Sequence, residues 1–253
     1  MSVADRREEI LQLLYRHQRM RVAELSEMLG VSEVTVRRHL AQLAEEGKVR
    51  RYHGWASLAP EAAAERPFRE RAEQAPEEKE RIAQHAASMV PDGATVMLSG
   101  GTTTARIVRH LRDRTGLTII TSALNIAAEV VEWESCRLIV CGGLVRQGSY
   151  QMVGPAAVAT IQQLTADFAF IGVDGITTRH GLTTSDIFEA QVDAAMIRAA
   201  RHAVVVADSR KLGRTGVAVI GPLSDVGTLI TDHNAPLHVC RDLEEQGIEV
   251  IRV

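Results

Sequence analysis

"ATVMLSGGTTTARIVRHL" runs from Ala94 to Leu111. The apolar run Ala94 to Leu98 reads as a strand, and the stretch from Thr103 onward reads as an amphipathic helix. Between them stand two adjacent glycines and three threonines. In a strand–loop–helix unit the N–H groups at the helix start point toward an anion, and glycine lets the backbone come close to it. Ser99, Gly100, Gly101, Thr102, Thr103 and Thr104 are therefore candidates for holding a phosphate. The competing reading is a tight turn capped by hydroxyls. No lysine follows the loop, so it is not the GxxxxGK[ST] of a nucleotide triphosphatase, and no GxGxxG is present.

The same alternation spreads outward from this unit. "LTIIT", "RLIVCGG", "DFAFIGVDG", "HAVVVAD", "VAVIG", "GTLITD" and "IEVIRV" read as strands. Helical stretches such as "ALNIAAEVVEW", "PAAVATIQQLT", "DIFEAQVDAAMIRAA" and "APLHVCRDLEEQ" separate most of them. Such alternation predicts an α/β domain with a mostly parallel sheet over residues 76–253. Asp208, at the end of "HAVVVAD", stands where α/β sheets gather ligands. Gly142, Gly143 and Arg146 form a further candidate loop, and Asn125 is either a helix cap or a ligand contact.

Before residue 76 the pattern differs. Residues 60–80 combine interior prolines, alternating charges and few large apolar side chains; residues 59–75 read as a linker, with a helix starting near Pro76. Residues 1–58 read as three short helices and a basic-aromatic hairpin. Ile10, Leu13 and Leu14 share a face of the first; Val22, Leu25 and Leu29 share a face of the second, which stops at Gly30. The third starts at the N-cap Ser32, carries Val36, Leu40 and Leu43 on one stripe and stops at Gly47. Two short helices joined by "GVS" predict a helix-turn-helix. Ser32, Thr35, Arg37, Arg38 and Gln42 would face double-stranded operator DNA, while Arg50, Arg51 and His53 would form a wing on its backbone or minor groove.

Charge supports this division weakly. Residues 1–58 carry ten Lys/Arg against eight Asp/Glu, whereas the remainder carries nineteen against twenty-four. No apolar run is long enough to span a bilayer, and the charged first residues do not suit a signal peptide, so a cytoplasmic protein is expected. Cys136, Cys141 and Cys240 lack CxxC spacing and read as reduced core thiols. The scattered histidines show neither HxH nor HExxH, so neither a metal nor a cofactor is expected.

"RREEILQLLYRHQRMRVAELSEMLGVSEVTVRRHLAQLAEEGKVRRYHG" resembles the N-terminal winged helix-turn-helix of the DeoR family of bacterial transcriptional regulators. Two positions depart from it: His39 stands where the family usually has Asp, and Trp55 where it usually has a second Gly. The first departure removes a negative charge beside two arginines, and the second suggests an aromatic packed on the domain. The rest of the chain, through "EEKERIA", "LSGGTTTA", "ITSALNIA", "CGGLVR", "DFAFIGVDGI", "GLTTSD" and "VVVADSRKLG", resembles that family's sensor domain, itself similar to ribose-5-phosphate isomerase. The resemblance implies a homo-oligomeric regulator, dimer or tetramer and most often a repressor of sugar-metabolism genes. It implies a phosphorylated sugar effector over Ser99–Thr104, faced by Asp174, Gly175, Glu189 and Lys211.

The alternative is a phosphosugar isomerase carrying a DNA-binding head. Such an enzyme needs a poised carboxylate base and groups that stabilise an enediolate. The isomerases resembled have an Arg-Glu-Lys run where this chain reads "DIFEAQVD", leaving Glu189 without a basic neighbour in sequence. The second acid of their Asp-Gly-Ala-Asp pattern is also replaced, by "ITT". No catalytic residue is assigned. A redox-responsive regulator working through Cys136 and Cys141 is a third reading.

Overall fold

The computed structural model describes residues 3–17, 19–45, 49–52, 54–58 and 67–253. Gly47, His53 and residues 59–66 of the expected linker lie outside the described residues. The chain divides into two compact units, Met1–Arg66 and Pro67–Val253.

The first unit contains α1 (Val3–His17), β1 (Arg19–Arg21), α2 (Val22–Leu29), α3 (Glu33–Glu45), β2 (Val49–Tyr52) and β3 (Trp55–Leu58). The apolar stripes meet in one core of Ile10, Leu14, Val22, Leu25, Val36, Leu40 and Leu43, closed by Met20, Val49 and Ala56. Gly30 ends α2 at φ 62°, a left-handed conformation that glycine adopts without strain. Ser32 caps α3: its Oγ accepts the Thr35 N–H at 3.3 Å. The hairpin read from sequence is β2–β3, and β1 adds a third antiparallel strand against β3. At three residues, β1 is too short for an alternation to announce it.

The second unit starts earlier than its composition suggests. Residues 67–75, read as linker, carry α4 (Phe68–Ala72) and pack on this unit. Phe68 N–H donates to Gly148 O at 2.9 Å, and the Phe68 ring lies 5.1 Å from that of Tyr150. α5 (Pro76–Ser88) follows with proline in its first turn.

A seven-stranded parallel sheet forms the centre: β4 (Thr95–Leu98), β5 (Thr118–Thr121), β6 (Arg137–Val140), β9 (Ala166–Gly172), β12 (Ala200–Val206), β14 (Thr228–Thr231) and β15 (Glu249–Arg252), in the order β15-β14-β12-β9-β4-β5-β6. α6 (Thr104–His110), α7 (Leu124–Val130), α9 (Ile187–Ala199) and α10 (Leu237–Glu244) are crossovers, and α8 (Pro155–Ile161) precedes β9. Alternate strand residues face opposite layers. Val96, Leu98, Ile119 and Phe170 pack with Ile82, Ile107 and Ile126 of α5–α7. Met97, Ile120, Ala169 and Ile171 pack with Ile161, Met196 and Leu243 of α8–α10.

Two small antiparallel sheets flank this one: β7 (Leu144–Arg146) with β8 (Gln151–Val153), and β10 (Gly175–Thr177), β11 (Gly181–Thr184) and β13 (Ala218–Gly221). "VAVIG" therefore leaves the main sheet, where the sequence pattern had placed it. Only a 3-10 turn, Ser209–Lys211, lies between β12 and β13, and a parallel crossover ordinarily needs a full helix.

Chain order sets the position of the site. From β4 the chain winds through β5 to β6; from β9, β4's other neighbour, it winds away through β12, β14 and β15. The winding reverses between β4 and β9, and the crevice beyond the C-terminal ends of such strands is where open α/β sheets bind ligands. The Ser99–Thr104 loop leaves β4 there, and Asp174 follows β9.

Candidate functional sites

In the first unit, Arg37, Arg38, Gln42, Arg50 and Arg51 are exposed, as is the N-cap Ser32, while Thr35 is half-buried. Ser32 Oγ and Thr35 Oγ1 lie 3.0 Å apart. Arg37 pairs with Glu33 one turn earlier at 2.7 Å, a contact between exposed groups that DNA can displace at little cost. His39 does not join this surface. It is 2% exposed, and its Nδ1 has no partner. Burial first, then the charges of Arg38, Arg6 and Arg7, hold its pKa below the usual 6.5. Trp55 is half-buried, with the guanidinium carbons of Arg19 and Arg21 5.4 and 4.8 Å from its ring centroid.

In the second unit, the loop after β4 is an arc of backbone donors. Ser99 Oγ accepts the Gly172 N–H at 3.0 Å, tying the loop to β9. Thr104 Oγ1 donates to Gly101 O at 3.0 Å. Both hydroxyls thus shape the loop itself. Ala105 N–H bonds Gly101 O at 3.1 Å, whereas no acceptor among the described residues takes the N–H of Gly100, Gly101, Thr102, Thr103 or Thr104. Thr102 and Thr103 are nevertheless buried. Gly100 is required by close approach: a Cβ there would stand 2.5 Å from Gln151 Oε1. Gln151 in turn donates to Asp193 Oδ1 at 3.1 Å.

Further polar atoms without a partner gather along the same edge. Ser122 Oγ and Asn125 Oδ1 follow β5; Ser149 Oγ precedes β8, whose Met152 N–H bonds Ser122 O; Ser185 Oγ neighbours Asp174. Buried polar groups are ordinarily satisfied, so such a grouping marks a place for polar contacts from outside the chain.

The carboxylates at this edge are all matched. Asp174 accepts from Lys211 Nζ at 2.9 Å and from Ser185 N–H at 3.0 Å. Burial would raise its pKa, but the Lys211 charge and these bonds outweigh that and hold it well below the usual carboxylate range. Arg146, from β7, pairs with Glu189 and reaches Asp186 at 3.5 Å. The sequence had left Glu189 without a basic neighbour; the fold supplies one. Arg210 grips Asp208 through Nε at 2.8 Å and Nη2 at 3.0 Å. Gly175 sits in β10 with its carbonyl accepting from Thr183 Oγ1 at 3.1 Å, and a Cβ there would strike the Arg214 main chain, which gives it a packing role.

Sequence reasoning missed Lys79, Arg71, Arg106 and Gln151. Lys79 is 3% exposed on α5, with Nζ donating to Arg71 O at 2.5 Å. Burial lowers its pKa to about 8; Asp208 opposes this, while Arg210, Lys211 and Arg106 add to it. A buried lysine among three other cations is a strong anion attractor. Its signal was present: Lys79 falls on the same helical stripe as the buried Ile82, Ala83 and Ala86.

Residues 74–233 match the family described as the DeoR C terminal sensor domain, and residues 6–61 match the DeoR-like helix-turn-helix domain. The chain belongs to the DeoR family. It is a DNA-binding transcriptional regulator. The Escherichia coli K12 glycerol-3-phosphate regulon repressor is 32% identical over 99% of each chain. The putative aga operon transcriptional repressor of Escherichia coli O157:H7 is 31% identical over 100% of this chain and 94% of its own. Among solved structures, ribose 5-phosphate isomerase A from Methanocaldococcus jannaschii matches with a TM-score of 0.40 at 20% identity over 53% of each chain, too distant to carry the reading of residues.

The three cysteines are free, with Cys141 and Cys240 buried. Burial pushes the Cys141 thiol up to about 11 and raises that of Cys136, which favours core packing over redox sensing. Among the described residues no helix is long and apolar enough to cross a membrane.

Proposed function

We propose that this DeoR-family regulator is a repressor of sugar-metabolism genes, and that a phosphorylated sugar held over Ser99–Thr104 controls its binding to operator DNA. The observation that carries the reading is the arc of amide N–H groups from Gly100 to Thr104, without acceptors among the described residues, at the reversal between β4 and β9. Five successive donors suit a phosphate. The hydroxyls of Ser122, Ser149 and Ser185 suit the polyol beyond it. Lys79 and Lys211 supply positive charge.

The site suits binding better than proton transfer. A general base must be free to take a proton. Glu189 is held by Arg146, and Asp174 is held ionised by Lys211. The protein is thus read as a sensor without catalytic residues, acting in the cytoplasm where its DNA lies. It acts as a homo-oligomer, because two heads on two half-sites multiply a modest single-head affinity. The sensor unit exposes Leu144, Ile187, Phe188, Val217 and Val219, apolar side chains that association would cover.

Coupling runs through residues 67–75. This strap is tied to the cations of the site: Arg71 O receives Lys79 Nζ, Ala72 O receives Arg106 Nη2 at 3.2 Å, and Gln74 Oε1 receives Arg210 Nη1 at 3.2 Å. A bound phosphate competes with the strap's oxygens for the same cations and thereby resets the segment that leads into the head.

The test is fluorescence anisotropy on duplex DNA from upstream of the protein's own gene, titrated with sugar and polyol phosphates and their unphosphorylated parents. Glycerol 3-phosphate heads the panel because a relative bears its name. One ester should shift DNA affinity by roughly 5–150-fold while its parent does nothing. Gly101→Val, whose Cβ would meet Thr104 Oγ1 at 3.0 Å, should abolish the response and keep DNA binding. Arg38→Ala should do the reverse. An ester response that survives Gly101→Val overturns this placement of the phosphate.

A further inference from the structure

The register of the small sheet in the DNA-binding unit sorts its side chains onto two faces. Arg21 pairs with Trp55 and Arg19 with Ser57 across β1–β3; Tyr52 pairs with Trp55 and Arg50 with Ser57 across β2–β3. Directly paired residues of an antiparallel sheet share a face. Met20 and Ala56, which alternate with these, are buried in the core. The outward face therefore carries Arg19, Arg21 and Arg50 around Trp55 and Tyr52.

Three features of this face point to one occupant. First, Arg19, Arg21 and Arg50 are exposed, and among the described residues no carboxylate pairs with the guanidinium group of any of them. Glu24, the acid nearest in sequence, accepts the Arg21 main-chain N–H at 2.9 Å. Second, Arg19 and Arg21 both lie within 5.4 Å of one indole centroid. Their mutual repulsion is offset by attraction to the ring, and the indole limits the freedom of two otherwise mobile side chains. Third, Arg50, read from the sequence as part of the wing, stands on this face of a unit that binds DNA, so the face includes a residue already expected to reach the duplex.

We infer that Arg19, Arg21 and Arg50 form a second row of contacts to the DNA phosphodiester backbone, with Trp55 as the residue that positions two of them. The row lies outside α3 and adds affinity common to all sequences. Phosphate contacts fix register and orientation without reading bases. The repulsion between Arg19 and Arg21 falls when a phosphate sits between them. Tyr52, 59% exposed on the same face, adds an aromatic edge and a hydroxyl donor.

The full-length protein tests this by anisotropy on its own upstream duplex and on a random duplex of equal length, each across a range of salt. The slope of log K against log salt should fall by about 0.9 for each phosphate that a variant no longer neutralises. Arg19→Ala and Arg21→Ala should each lower it by that amount on both duplexes, leaving the preference for the upstream duplex unchanged. Arg19→Lys should restore most of the slope. Trp55→Leu should weaken binding several-fold on both duplexes, with Trp55→Phe between it and the parent protein. Circular dichroism identifies any variant that has failed to fold; for such a variant the Arg→Gln replacement takes its place. Unchanged slopes in folded Arg19→Ala and Arg21→Ala overturn the inference. So does a change in oligomer size in place of a change in slope, which would make the face a protein contact.

Discussion

His39 shows how one substitution changes the physics of a recognition helix. It lies in the core of the DNA-binding unit with Arg38, Arg6 and Arg7 around it, and its folded pKa is depressed. The unfolded chain therefore binds a proton more readily, and the unit loses stability as pH falls through about 6.5. Leucine at this position would remove the titrating group. His39→Leu should flatten the pH dependence of thermal unfolding between pH 7 and 5. Aspartate would instead place a carboxylate among the same three cations and should raise Tm at pH 7 by a few degrees. A depressed carboxylate adds stability above its unfolded pKa near 4, so that gain should vanish as pH falls through the acid range. A His39→Leu variant that retains the full acid sensitivity would show that the histidine does not cause it.

At the scale of elements, the strap and α5 carry the regulatory argument. Phe68 anchors the strap by its ring contact with Tyr150. Phe68→Ala should speed hydrogen exchange in residues 67–75 and shrink the effector response, while DNA affinity without effector stays within twofold. Lys79 gives a separate handle. Its folded pKa is near 8 against 10.5 unfolded, so the folded unit carries an unfavourable charge below pH 8. Stability should rise as pH climbs from about 8 toward 10, where the folded lysine is neutral and the unfolded one is not. Lys79→Met should remove that rise relative to the parent protein and leave it more stable at pH 7, by an amount on the order of a few kcal/mol or less. Denaturant unfolding at both pH values measures the difference. Equal slopes for parent and variant would mean that Lys79 is more hydrated than its burial implies.

These elements also show what the sequence could convey. The strap was read as linker because its charges alternate and its apolar content is low; Phe68 alone gave no pattern. β7, β8 and β10 are three residues long, and the four residues of β11, Gly-Leu-Thr-Thr, hold one large apolar side chain, so neither alternation nor an apolar run marks them. The parallel core was legible because most of its strands carry a run of Val, Ile, Leu or Phe, and helical stretches separate most of them. The Ser99–Thr104 loop and α3 were legible because one local segment carries all their chemistry. Lys79, Arg106, Arg146 and Gln151 come from four separate elements and meet their partners only through tertiary folding. Asp174 and Lys211 were found through family resemblance, and their hydrogen bond across 37 positions has no local signature.

At the scale of the whole chain, two compact units with separate cores should unfold as two transitions. A ligand stabilises the unit it binds by RT ln(1 + [L]/Kd), about 2.7 kcal/mol at a hundredfold excess over Kd. Duplex DNA should therefore raise the transition of residues 1–66, and the effector that of residues 67–253. Regulation requires more than this. If the effector changes DNA affinity by a factor α, each ligand must shift the other unit's transition, in amounts set by the same coupling free energy, roughly 1–3 kcal/mol. Calorimetry with DNA, with effector and with both measures that cross-term. A cross-term that matches the anisotropy ratio and disappears in Phe68→Ala places the coupling in the strap. A cross-term that persists in Phe68→Ala means the signal bypasses residues 67–75, and the hydrogen bonds from Lys79, Arg106 and Arg210 to the strap serve the sensor's stability alone.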